Sequence, residues 1–165
     1  MRALVILFLS ILCLSVSAQN TKIGFIDSGQ VVASLTQYKR SVDAISREFE
    51  PKKQSLLDLF NHIELLRKNI ESNIKAGNTK SHEIEISKLA DLEKSFKIET
   101  ELWQTKMNNK KINLLNKIET LVNTTLNEFA LEEGYDLILY KDVAYVSDGV
   151  NITQQIIKKI ESQSP

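Results

Sequence analysis

Side chains able to do chemistry are few in this chain and poorly placed for it. There are two histidines, His62 and His82, and one cysteine, Cys13. The histidines fall on opposite sides of Gly77, which reads as the turn of a helical hairpin, so folding the chain back there leaves them at different heights rather than facing as metal ligands. Cys13 lies inside an apolar N-terminal run, and the chain beyond it has no cysteine for a disulfide framework or thiol chemistry. The carboxylates recur at helical surface spacing, and no serine or carboxylate pair has a partner at a useful distance in sequence. No glycine-rich phosphate loop is present either. These residues point away from an enzyme, and no metal or cofactor is expected. Asn123-Thr124-Thr125 and Asn151-Ile152-Thr153 match a glycosylation pattern, but Asn151 is better explained as a helix cap.

What those residues sit on is mostly helix. Residues 38–133 hold one proline, Pro51, and apolar side chains every three or four positions, which predicts two long helices folded back at Gly77. On the first arm Val42, Phe49, Leu56, Ile63 and Ile70 alternate with Ile45, Lys52, Leu59, Leu66 and Asn73 in a heptad seam. The return arm follows steps of 4, 4 and 3 through Leu92, Phe96, Thr100, Trp103, Met107, Lys111, Leu114, Ile118, Val122, Thr125 and Phe129, close to the pitch of a straight helix. At about 1.5 Å per residue the first arm would be roughly 55 Å long, with no interior beyond that seam. Inside a helix Pro51 removes one hydrogen bond at a cost of ~3 kcal/mol, so a bend or a helix boundary is expected there.

At the front of the chain, Met1 and Arg2 precede an apolar run from Ala3 to Leu14 and then Val16, Ser17 and Ala18, the pattern of a cleaved secretory signal peptide over residues 1–18. The run is short of the ~20 residues a membrane span needs. Arg2 is one of 21 basic residues, so the exported chain carries one basic residue fewer than its 21 acidic ones. Nothing in that balance favours nucleic acid. The one basic concentration surrounds the turn, where Arg67, Lys68, Lys75 and Lys80 face a single local acid, Glu71. Such a tip is either a solvated helix end or a surface for acidic partners and membrane headgroups.

Both ends of the chain carry strand signals. Residues 21–27 (TKIGFID) read as a strand stopping at Asp27, an N-cap for a short helix over 30–35. Gly134 ends the return arm as a left-handed C-cap requires. Residues 135–140 and 143–146 read as two strands joined tightly through Lys141 and Asp142. Asn151 with Gln154 then opens, as a capping box, a last helix that includes Ile156, Ile157 and Ile160. The fold class is therefore α+β and mostly α, a long antiparallel coiled-coil arm (38–133) on a small β-body made by residues 19–37 and 134–165. Residues 21–37 and 134–163, its globular part, number fewer than 50, and domains near or below ~40 residues seldom bury enough surface to stand alone, so an oligomer is expected.

The end segments KIGFID at 22–27 and VAYVSDGVNITQQIIKKI at 143–160 resemble the two terminal signatures of the Skp/OmpH family of periplasmic chaperones. The resemblance spans essentially the whole exported chain. It implies a jellyfish-shaped homotrimer, with a body of terminal strands from three chains and three arms around a cavity. Unfolded outer-membrane β-barrel proteins are held there without ATP. Such a holder works by many weak apolar contacts, which nominates the apolar residues off the seams: Leu57, Phe60, Leu65, Ile74, Ile86, Ile98 and Leu102. Ile23, Phe25, Leu137, Leu139, Ala144 and Tyr145 are assigned to the body and its subunit contacts. Contact with an anionic membrane surface or lipopolysaccharide falls to the basic tip. The chain departs from its basic relatives in being neutral, so steering by charge should be weaker. A tethering coiled coil and a membrane-surface adaptor are the alternatives.

Overall fold

The structure is a computed structural model that describes residues 21–76, 82–140 and 143–163. The chain runs β1 (Ile23–Ile26), α1 (Ser28–Ser34), α2 (Thr36–Lys75), α3 (His82–Glu133), β2 (Leu137–Tyr140) and α4 (Thr153–Gln163). The segment proposed as a leader and the turn glycine Gly77 lie outside the described residues.

The two long helices form the arm. At 40 and 52 residues they would extend about 60 and 80 Å, and each is far longer than an ordinary globular helix. α2 turns Ile45, Leu56, Ile63 and Ile70 into the seam, all from the heptad series. On α3, Ile118, Val122, Thr125 and Phe129 of the 4-4-3 series are buried, and Leu126 widens the stripe beside them. Toward the tip the series continues half-buried through Met107, Trp103, Thr100, Phe96 and Leu92. Lys111 stays in solvent, and Lys52 turns to an ion pair with Glu99 of α3 at 2.5 Å.

Pro51 marks no boundary. α2 continues through it as one helix and begins at Thr36, ahead of the expected arm limit. Seam residues on both sides, Ile45 and Leu56, are buried against α3. The Trp103 indole N–H also donates to the Phe49 carbonyl at 3.2 Å. Packing over so many turns outweighs one missing hydrogen bond.

The body departs from the expected hairpin. β1 pairs with β2 in parallel, Ile23 opposite Leu137 through Ile26 opposite Tyr140, with the entire arm as the crossover. The other edge of β1 is taken by residues 150–152: Phe25 donates to Val150 O at 2.8 Å, and Ile152 donates to Phe25 O at 2.9 Å. β1 is thus central, with both of its edges filled within one chain. Residues 143–146 form no strand, and Tyr145 is 82% exposed. The predicted turn at Lys141 and Asp142 lies outside the described residues.

Caps fix the joints. Asp27 Oδ1 accepts from the Gln30 N–H at 2.8 Å, as the sequence suggests for the start of α1. Gly134, at φ +68°, ends α3, and the Tyr135 N–H bonds back to Ala130 O at 2.9 Å in a Schellman closure. The capping box does not form. Asn151 Oδ1 accepts from the Thr153 N–H at 3.0 Å, while the Asn151 N–H goes to Asp148 O rather than to Gln154. Thr153 Oγ1 is thereby free to accept from the Asp27 N–H at 3.0 Å, tying the last helix to the end of β1. The core beneath joins Ile26, Val31 and Leu35 with the root of α3 and with Ile152, Ile156 and Ile160.

Candidate binding surface

A seam one residue wide cannot cover the apolar residues on the flanks of two helices, and the arm leaves them in water. All seven off-seam candidates, Leu57, Phe60, Leu65, Ile74, Ile86, Ile98 and Leu102, are between 45% and 61% exposed. Phe60 is partly committed, its ring 5.9 Å from that of Phe96 across the seam at an interplanar angle of 42°. The others are spread along both helices rather than gathered in one pocket. Ile84 (77% exposed), Ile112, Leu115 and Leu131 (85%) share this exposure and were not nominated. The signal was available, since each is an apolar residue off the 4-4-3 series.

The basic tip is less free than a local count suggests. Arg67 pairs with Glu64 at 2.7 Å on its own helix and with Glu93 at 2.6 Å on α3. Its hydrogen bond to Glu93, and the charge of Glu64, raise the pKa of the guanidinium further above its ordinary value. Glu93 is near in space and distant in sequence. Lys68 and Lys75 are exposed, and Lys80 lies outside the described residues.

On the body, Ile23 and Phe25 stand beside Leu137 and Leu139, because a parallel ladder places facing residues on one side of the sheet. Ile23, Leu137 and Leu139 are exposed and Phe25 is half-buried, so this face is an uncovered apolar surface. The opposite face turns Gly24 and Ile26 into the core. Ala144 and Tyr145 are exposed outside any strand, away from the role in a hairpin given to them by sequence.

No group of three or more potential metal-ligating side chains occurs among the described residues, and His62 is exposed on α2. The His82 side chain lies outside the described residues. No described helix is long and apolar enough to cross a membrane. What the surface can do is offer separated apolar contacts along a thin rod.

Comparison with known proteins agrees with this geometry. No curated protein matches the chain by sequence. Among solved structures it is similar to a crystal structure from Caulobacter crescentus CB15 assigned as an outer membrane chaperone (OmpH-like), with a TM-score of 0.73 and 12% identity over 87% of this chain and 86% of that one. At that identity the likeness speaks for the fold. The family model for outer membrane protein (OmpH-like) matches residues 22–160, from the strand that lies at the centre of the body to the last buried turn of α4. The chain belongs to the OmpH-like family.

Proposed function

We propose that this protein is an exported, ATP-independent holdase that binds unfolded outer-membrane β-barrel proteins in the periplasm and keeps them from aggregating before insertion. The observation that carries it is the exposure of Leu57, Phe60, Leu65, Ile74, Ile86, Ile98 and Leu102 on an arm that has no core of its own to hide them. Covering half of such a side chain contributes about 1 kcal/mol, so several in parallel hold an unfolded chain with no shaped pocket. A client that can bury more of its own surface elsewhere leaves without fuel. The surface has no catalytic role in this reading.

Residues 1–18 act as the leader, residues 38–133 as the holding arm, and residues 19–37 with 134–165 as the body. The uncovered face of Ile23, Phe25, Leu137 and Leu139, together with the exposure of Ala144 and Tyr145, supports assembly of the body into a homotrimer. Three arms then surround a shared space. Lys68 and Lys75 remain available for weak contact with anionic headgroups, whereas the pairing of Arg67 leaves the tip a poor membrane anchor.

The test is paired. Light scattering of the purified protein should give a trimer, and stoichiometric protein should suppress aggregation of an unfolded porin diluted from urea. A monodisperse monomer with no suppression ends this reading. Binding to anionic vesicles without any effect on porin would favour the adaptor.

A further inference from the structure

The beginning of α2 is not capped by its own flank. Leu35, at the N-cap, is extended (φ −63°, ψ 125°) and has no polar side chain to offer. The N–H of Thr36 is accepted instead by Glu161 Oε1 at 2.7 Å, from a residue 125 positions later in α4. A carboxylate there also meets the positive end of the α2 dipole. Two residues before it, Lys159 pairs with Glu132 in the last turn of α3, its ammonium 5.9 Å from the centroid of the Phe129 ring. Between the two, Ile160 is 1% exposed in the core.

Residues two apart on a helix point to nearly opposite sides. Lys159 and Glu161 therefore reach outward to different arm helices while Ile160 anchors the turn that carries both. The two arm helices differ at their roots. α3 runs unbroken into the core, whereas α2 joins the body through one non-helical residue, Leu35. Of the two, α2 is the one that meets the body through a non-helical residue, and that residue is itself 1% exposed in the core.

We propose that the last turn of α4 is a strap that fixes the splay of the two arm helices at their root, with Glu161 holding the first turn of α2 and Lys159 holding the last turn of α3. The holding surface described above would widen or narrow with that splay. Its purpose rests on the holdase reading, but its existence does not.

The measurement is a distance, with no client present. The chain beyond Cys13 has no cysteine, so Asp43→Cys on α2 and Glu128→Cys on α3 give a unique pair of spin-label sites in the exported protein. Doubly labelled chains are diluted into excess unlabelled protein, and pulsed dipolar spectroscopy reads the distance within one chain. Glu161→Gln keeps an acceptor and should leave the distribution narrow. Glu161→Ala removes it and should broaden the distribution toward longer distances. Thr36→Pro removes the donor at the first helical position, where proline is tolerated, and Leu35 already has the backbone conformation a proline wants before it. It should broaden the distribution in the same way, and decides alone if Glu161→Ala loses its thermal transition. Distributions that superimpose on the parent for Glu161→Ala and Thr36→Pro, or a Glu161→Gln distribution as broad as that of Glu161→Ala, overturn the strap. Because porin is absent, its failure and the failure of the holding role are read separately.

Discussion

A carbon added to Gly24 would stand 2.9 Å from Ile152 Cδ1 and 3.1 Å from Tyr135 Cε1. The centre of β1 thus touches both the residue that opens α4 and the residue that leaves the arm, with no room for a methyl group between them. Gly24→Ala forces Ile152 or the Tyr135 ring to shift, and should lower stability by about 1–3 kcal/mol. A urea titration should show a lower midpoint at unchanged slope. An unchanged midpoint would mean that the body packs less closely than described.

Gly134 is a different case. At φ +68° it has nothing within 4 Å of an added carbon, so Gly134→Ala meets no clash and suffers only from the left-handed backbone. The expected cost is roughly 1–2 kcal/mol. Thermal unfolding should show the loss, and Gly134→Asn should recover part of it, because asparagine tolerates this conformation.

Stability and holding should separate between core and surface. Ile156 is fully buried, so Ile156→Ala should cost about 2–5 kcal/mol. Leu65, 61% exposed, makes no such contribution, and Leu65→Ser should stay within about 0.5 kcal/mol of the parent. Combined serine substitutions at Leu65, Ile98 and Leu102 should weaken suppression of porin aggregation while the melting curve hardly moves. Suppression that survives all three moves client contact away from the arm flanks.

Acid should act on the arm through Glu50. Hydrogen bonds from the Gln54 amide and the Lys53 ammonium hold its carboxyl below the ordinary value of 4.5. As pH falls the unfolded chain takes up this proton first, so the contribution is complete above the ordinary carboxylate pKa and disappears as pH drops through the depressed folded value. Glu50→Gln should flatten that part of the acid limb in thermal melts taken downward from neutral pH. The side chain is exposed, so the effect is small, and high salt should reduce it further.

The sequence by itself determined the arm. Helical periodicity is a local property, and the heptad of Ile45, Leu56, Ile63 and Ile70 and the 4-4-3 run to Phe129 each name a buried face without knowing what covers it. The exposure of Leu57, Leu65 and Leu102 followed from the same count, and the stops at Asp27 and Gly134 from the capping chemistry of those two residues. The end motifs also carried the family. What only the tertiary structure decided was which distant groups meet. A strand pattern of period two says that a segment has two faces, but it cannot say which edge pairs with which. β1 accordingly took Leu137–Tyr140 in parallel and residues 150–152 on its other side, leaving 143–146 unpaired. Glu93 beside Arg67, Thr153 beside Asp27 and Glu161 beside Thr36 belong to the same class. Each satisfies a charge or a backbone N–H with a partner at least 26 residues away, and that choice exists only once the chain has folded back on itself.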